Sequence, residues 1–178
     1  MMSAYPAPRR ALHWLTLALL AALYAMGWVL EDVESAATRK LLMTAHQSLG
    51  LLVVILALVR LAAAWRMPFR PADEIASWME RLAGLTHAAL YLLMIALPVS
   101  GWAYTTIKGG SVNFFWLGKL PHLFGEDDNL ADSFFEAHEL IGIALLALVA
   151  LHAAAALFHH LVLRDAVLAR MLPILRRA

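Results

Sequence analysis

The chain has 178 residues, of which 62% are hydrophobic and only 15% are charged, and its formal net charge is +1. This composition excludes an ordinary soluble domain and indicates an integral membrane protein, and no basic block points to nucleic-acid binding. Because the chain has no cysteine, it has no disulfide, no thiolate metal site and no motif for covalent haem attachment.

Four long apolar runs predict an all-α membrane protein with four transmembrane helices. The predicted helices cover approximately residues 11–30, 42–65, 85–107 and 136–163. Arg9 and Arg10 before the first run could mark a signal peptide. The run is long for a signal sequence, however, and no convincing cleavage site follows it, so we expect a retained first helix.

The segments between these runs carry weaker signals. After Asp73, apolar residues recur at helical spacing and predict a short interfacial helix; they are Ile75, Trp78, Met79 and Leu82. Pro98 and Gly101 predict a kink in the third helix. Residues 108–135 are predicted to form the longest loop, and residues 164–178 an amphipathic helix on the membrane surface.

The basic residues predict the orientation. Nine lie in the N-terminal tail, the 66–83 loop and the C-terminal tail: Arg9, Arg10, Arg66, Arg70, Arg81, Arg164, Arg170, Arg176 and Arg177. Four lie in the other two loops: Arg39, Lys40, Lys108 and Lys119. The positive-inside rule therefore places both termini in the cytoplasm.

Histidines inside the apolar runs are the candidate functional residues, since ionisable groups in a membrane span are costly. His138 and His152 are 14 residues apart, which corresponds to roughly 21 Å of helix and an azimuth difference of about 40°. One face of the fourth helix thus presents two imidazoles at two depths. They could hold two stacked haems, or they could be helix-end histidines that face water.

Depth along the helices sorts the remaining histidines into two groups. His46 and His138 form an outer pair. Four histidines lie near the cytoplasmic side and form an inner cluster: His13, His87, His152 and His159. Depth alone leaves open whether His13 or His87 pairs with His152. Two imidazole ligands on one iron leave no open position for oxygen, so such a haem transfers electrons.

Further residues lie on the faces of these histidines. Gly50 and Gly142 each follow a histidine by four residues and could let a flat macrocycle approach the helix, although ordinary small-residue helix packing gives the same pattern. Arg60 lies near the inner level and could bind a haem propionate or extend to the membrane surface. We expect His122 and His160 on the surface.

Several motifs together resemble the bacterial cytochrome b561 family. They are Arg-x-x-Leu-His13-Trp14, Ala-His46-Gln-Ser-Leu-Gly50, Thr-His87-Ala-Ala-Leu-Tyr, His138, and Leu-His152-Ala-Ala-Ala-Ala-Leu-Phe-His159-His160. The resemblance covers roughly residues 9–173. It implies a four-helix protein of the bacterial inner membrane that holds two b haems.

The resemblance also implies roles for individual residues. His46 and His138 would bind the outer haem iron, and His13 and His152 the inner one. A ubiquinone site is implied near His87 and His159 on the cytoplasmic side. The implied activity oxidises superoxide to O₂ outside and passes electrons through both haems to ubiquinone. An obligate protein partner is not expected.

Cationic side chains could attract superoxide to the outer haem. The candidates are Arg39, Lys40, Lys108 and Lys119, although such residues also flank helix ends for structural reasons. The same side holds nine acidic residues against these four bases: Glu31, Asp32, Glu34, Glu126, Asp127, Asp128, Asp132, Glu136 and Glu139. Steering therefore requires the bases to cluster at the haem.

Two other functions fit the same four-histidine plan. The chain could be a cytochrome b subunit that carries electrons between a dehydrogenase or hydrogenase and quinone, or from ubiquinol outward. It could also be a membrane scaffold or transporter without haem, although intramembrane histidines without a function are rare.

Overall fold

A computed structural model describes residues 4–66, 76–115 and 117–175. Within these residues four long helices run through the protein: α1 (Ala7–Asp32), α2 (Ala36–Arg66), α3 (Ser77–Ile107) and α4 (Asp128–Phe158). The last continues into a π-helical turn, His159–Leu163, and a short α5 (Val167–Met171) and a 3₁₀ turn (Pro173–Leu175) follow. All four long helices are long and apolar enough to cross a membrane, which confirms the predicted fold class.

Each long helix begins before the apolar run that predicts it, because hydropathy locates apolar residues and not the helix ends. The α4 helix begins at Asp128, where the Asp127 side chain accepts a hydrogen bond from the Leu130 amide at 3.0 Å and caps the helix. The prediction of a separate interfacial helix is wrong for Trp78, Met79 and Leu82, which lie in the first turns of α3. Ile75 lies outside the described residues.

The helices pack in chain order, α1 on α2, α2 on α3 and α3 on α4. A hydrogen bond links the first helix to the last, since the Tyr24 hydroxyl donates to the Gly142 carbonyl at 2.6 Å. All four helices contribute to an apolar core cluster, here called the middle cluster: Leu20, Leu23, Val53, Ala57, Leu90, Met94 and Leu145.

The middle cluster is in register with the histidines. Leu145 lies seven residues from both His138 and His152, and on each of the other helices one member likewise lies seven residues from a histidine. Seven residues are about 10 Å of helix and return to within about 20° of the same face. The middle cluster therefore separates two histidine levels on one interior face of the bundle.

At one end of the bundle, here called the loop end, residues 108–127 connect α3 to α4. The loop forms a small hairpin in which Asn113 and Lys119 pair as an isolated antiparallel bridge. Ser48 of α2 anchors it, because this buried hydroxyl donates to the Asn113 carbonyl at 3.0 Å and accepts from the Phe115 amide at 2.9 Å. The hairpin is thereby fixed two residues from His46.

At the opposite end, here called the terminal end, the C-terminal segment packs against the start of α1. The Trp14 indole donates to the Met171 carbonyl at 3.3 Å, and the Tyr5 amide donates to the Arg170 carbonyl at 3.1 Å. The predicted amphipathic helix over 164–178 is shorter in the structure. Arg164 adopts a left-handed conformation with φ 57° and Pro173 follows α5, so the helix covers one turn only.

Candidate haem-binding site

The loop-end histidines come from two helices and face each other. His46 of α2 and His138 of α4 have ring centres 6.4 Å apart with an interplanar angle of 64°. A metal bonded at about 2 Å to one nitrogen of each ring, with roughly 1 Å from nitrogen to ring centre, requires about 6 Å between ring centres. The pair therefore has the spacing that two axial ligands of one iron need.

Hydrogen bonds fix the tautomer of His138. Its Nδ1 lies 2.9 Å from the Leu97 carbonyl oxygen and 3.2 Å from the Ser100 hydroxyl. A carbonyl oxygen can only accept, so Nδ1 must carry the proton, and the Ser100 hydroxyl itself donates to the same carbonyl at 2.7 Å. Nε2 is then the basic nitrogen available to a metal, as in other metal-binding histidines held by a backbone carbonyl.

Two glycines that differ from the predicted ones lie against these rings. A Cβ added at Gly101 would lie 3.0 Å from Cε1 and Nδ1 of His138, and one added at Gly27 would lie 3.9 Å from Cε1 of His46. The predicted Gly50 and Gly142 instead face protein, with Pro98 at 3.7 Å and Leu97 at 3.8 Å. Their role in haem packing stays a prediction.

The terminal-end histidines give a second pair. His13 of α1 and His152 of α4 have ring centres 6.3 Å apart at 60°, almost the separation of the first pair. His87 of α3 lies closer, 5.2 Å from His152, which suits direct ring contact better than two metal bonds. The geometry thus favours His13 over His87 as the partner of His152, a choice that depth along the helices left open.

Arg60 lies among the terminal-end histidines. Its guanidinium lies 3.3 Å from Nδ1 of His13 and 5.4 Å from the ring centre of Tyr91. The contact places the Arg60 side chain directly against His13. The side chain is half-buried and inside the bundle, so its cation is available to an anionic group at this level.

His159 is held by an acidic partner that the sequence analysis did not consider. Its Nδ1 bonds to a carboxylate oxygen of Asp165, and both side chains are 18% exposed. His159 opens the π-helical turn at the terminal end. Of the histidines assigned to the surface, His122 is exposed, whereas His160 is half-buried.

The loop-end bases differ in their surroundings. Lys108 pairs with Asp128 at 2.8 Å and Asp132 at 3.6 Å. The hydrogen bond to Asp128 raises the pKa of Lys108, and the charges of both carboxylates act in the same direction. Arg39 donates to the carbonyls of Val33 and Glu31. Its donors therefore satisfy the C-terminal end of α1.

The two histidine pairs fit haem better than a bare metal ion. Among the described residues no group of three or more histidine, cysteine or acidic side chains could hold an ion, whereas haem iron needs only two axial ligands from protein. Within the same residues, Nδ1 of His46 is buried and has no hydrogen-bond partner. A buried polar atom of this kind calls for a partner that protein does not supply.

The supporting residues could not be read from local sequence. Gly101 and Ser100 of α3 contact His138 of α4, although they lie 37 and 38 residues before it in the sequence. Gly101 carries a weak signal, since a glycine inside a span often marks a close approach. Asp165 carries another weak signal, as an acidic residue two positions after the end of an apolar run.

Comparison with known proteins identifies the family of the chain. A family model described as prokaryotic cytochrome b561 matches residues 4–173, which confirms the resemblance read from the motifs. "Probable superoxide oxidase CybB" of Yersinia pestis is 32% identical over 166 residues, covering 91% of this chain and 92% of that protein.

Two further relatives are named as cytochromes. "Cytochrome b561 homolog 1" of Escherichia coli (strain K12) is 33% identical over 174 residues, covering 91% of this chain and 93% of the other. "Cytochrome b562" of Cereibacter sphaeroides is 31% identical over 174 residues and covers 90% of both chains. The similarity therefore extends over nearly the whole molecule.

Proposed function

The chain belongs to the prokaryotic cytochrome b561 family, and we propose that it is a superoxide oxidase that delivers electrons to ubiquinone. The family makes it a multi-pass bacterial membrane protein that binds b-type haem and transfers electrons. The proposal goes further and assigns it two haems, superoxide as the donor and ubiquinone as the acceptor. The relative named probable superoxide oxidase supports this choice.

The observation that carries the proposal is the matched spacing of the two histidine pairs, 6.4 Å and 6.3 Å between ring centres. His46 and His138 would hold one haem, and His13 and His152 the other. When bound, the two haems supply one-electron redox chemistry at each end of the bundle. With two imidazole ligands from each histidine pair, the haems would exchange electrons with superoxide and would not bind oxygen.

The proposed orientation follows from the basic residues. Basic residues in the two tails and the 66–83 loop outnumber those in the other two loops by nine to four, so we assign the loop end to the periplasm and the terminal end to the cytoplasm of the inner membrane. Superoxide is then oxidised in the periplasm. Ubiquinone is reduced on the cytoplasmic side, where the protons are taken up.

The superoxide side uses the chain's own charges. We assign attraction of the anion to Arg39, Lys40 and Lys108, with Lys119 of the hairpin as a further candidate. The two carboxylates against Lys108 offset much of its charge. Lys40, for which the described residues provide no ion pair, is therefore the stronger attractor in this proposal.

The quinone side uses His87 and His159 as polar groups for the two carbonyl oxygens, whereas Arg60 would pair with a propionate of the haem at the same level. His87 is exposed and lies against His152, and His159 marks the membrane surface of α4. Histidine titrates near neutral pH and can pass protons to a reduced quinone. The complete reaction converts two superoxide ions, one ubiquinone and two protons into two O₂ and one ubiquinol.

Stopped-flow mixing of the purified protein with superoxide tests the proposal, with and without a short-chain ubiquinone. We expect rapid growth of the sharp absorption bands of reduced b haem without quinone. With quinone, the bands should stay low while ubiquinol forms at half the rate of superoxide loss. No reduction by superoxide would reject the donor, and reduced bands that persist with quinone would reject the acceptor.

The second candidate is an electron-carrier subunit, because two relatives of comparable identity are named only as cytochromes. Such a subunit would join a partner dehydrogenase or hydrogenase, or ubiquinol, to another redox protein. It would copurify with a soluble redox subunit and would react slowly with superoxide.

A further inference from the structure

Asp165 is the one acidic side chain in contact with a histidine within the described part of the chain. One carboxylate oxygen accepts from Nδ1 of His159, and the other accepts from the Val167 amide at 3.0 Å. The Asp165 amide in turn donates to the His159 carbonyl at 3.2 Å. Asp165 is therefore fixed through both its backbone amide and its carboxylate, and the carboxylate holds the ring of His159.

The local backbone is built around this contact. The π-helical turn His159–Leu163 widens the end of α4, and Arg164 reverses the chain in a left-handed conformation with φ 57°. Such turns interrupt regular helices and are frequent at functional sites. The reversal brings Asp165 back to a residue six positions earlier, and the pair is largely buried.

The contact determines which nitrogen of His159 can exchange a proton. A carboxylate on Nδ1 holds the proton on that nitrogen in the neutral ring, and it stabilises the imidazolium when the ring takes up a second proton. The second proton then resides on Nε2. The arrangement suits a group that accepts a proton from water and passes it on.

We propose that Asp165 is a positioning residue for proton delivery to ubiquinone, acting through His159. This inference rests on the proposed function, because it takes His159 to be part of the quinone site. In the step, the Nε2–H bond of the His159 imidazolium breaks and an O–H bond forms on a quinone oxygen as that oxygen gains an electron.

The step balances over one complete turnover. The ring returns to its neutral form with the proton on Nδ1, and water at the terminal end protonates Nε2 again. This transfer supplies the proton of the quinone oxygen at His159, the second proton reaches the other oxygen on the His87 side, and two superoxide ions supply the two electrons. Asp165 keeps its negative charge throughout, because its task is to orient the ring and stabilise the cation.

The test uses purified full-length protein that contains haem and has been reduced with dithionite. Mixing it with ubiquinone-1 and following haem reoxidation avoids superoxide, so the donor does not affect the result. We expect D165N to reoxidise 10- to 100-fold more slowly than wild type, as for other residues that hold a functional histidine. An asparagine can donate to Nδ1 and move the ring proton to Nε2.

Two variants and one isotope measurement separate positioning from folding. D165E keeps a carboxylate and should recover part of the rate. E80Q removes an exposed acidic charge at the terminal end of α3 and should match wild type. If Asp165 assists proton transfer, the solvent deuterium isotope effect on reoxidation should be larger in D165N than in wild type, at unchanged haem content and unchanged KM for ubiquinone-1.

The outcomes distinguish this inference from the proposed function. Wild-type protein that ubiquinone-1 does not reoxidise would overturn both. Normal reoxidation of D165N, or a slow D165N with an unchanged isotope effect and no recovery in D165E, would overturn the role of Asp165 alone. A failure of superoxide to reduce wild type would reject the donor and leave the role of Asp165 standing.

Discussion

Replacing Gly101 with alanine tests whether His138 is a haem ligand held by a close helix contact. The new Cβ would lie 3.0 Å from Cε1 and Nδ1 of His138, whereas ordinary contacts begin near 3.4 Å. The ring must therefore move by about 0.4 Å, and a shift of Nδ1 also disturbs its 2.9 Å hydrogen bond to the Leu97 carbonyl.

The balance of energies favours loss of haem. Alanine stabilises a helix interior by about 0.5–1 kcal/mol relative to glycine. Against this, loss of the hydrogen bond that orients a metal-binding histidine lowers metal affinity by about 10- to 100-fold, or about 1.4–2.8 kcal/mol. We therefore expect Gly101→Ala to release the loop-end haem and to leave the other bound.

The ratio of haem to protein and the reduced-minus-oxidised spectrum measure this effect. Gly50→Ala is the matched control, because its Cβ would meet Pro98 at an ordinary 3.7 Å, and we expect it to keep both haems. Full haem content with an unchanged spectrum in Gly101→Ala would refute the ligand geometry. Loss of haem from Gly50→Ala would instead support the predicted haem-packing role of Gly50.

Other predictions concern single side chains. His152→Ala should lose one haem and keep the other by the same assay, and loss of neither would reject the ligand assignment. His159→Ala should keep both haems but slow quinone reduction in the stopped-flow assay; unchanged turnover would exclude its role. Lys40→Glu should slow haem reduction by superoxide more than Lys108→Glu does, since Lys108 already contacts two carboxylates, and added salt should reduce the difference. Equal rates would contradict steering. Because the folded-state pKa of Lys108 is above its ordinary 10.5, its ion pairs stabilise the protein fully below that pH and lose their effect above it. The Tm difference between wild type and Lys108→Gln should therefore be constant between about pH 7 and about pH 9 and shrink in stronger base.

The fold could be predicted from the sequence because a membrane span leaves a long apolar signal in one segment. The helix ends could not, since they depend on single caps such as Asp127, which lies nine residues before the apolar run that hydropathy detects. Likewise, α3 begins early enough to include Trp78, which the apolar spacing had assigned to a separate helix.

The site divides in the same way. Helix geometry alone could place His138 and His152 on one face at two depths, because they belong to one helix. The approach of Gly101 to His138 and of Arg60 to His13 depends on how two helices meet, which periodicity does not encode. The bond from Asp165 to His159 depends on a π-helical turn and a left-handed residue, and neither has a pattern in the sequence.

The middle cluster has a consequence for the energy balance of the cell. Its side chains are leucine, valine, alanine and methionine from all four helices, and they offer no polar atoms to a file of water molecules. Protons move along files of water, so the middle cluster gives them no path. An electron can tunnel through packed hydrocarbon. Under the proposed function, electrons would therefore pass between the two haems across the bilayer while the proton gradient is kept.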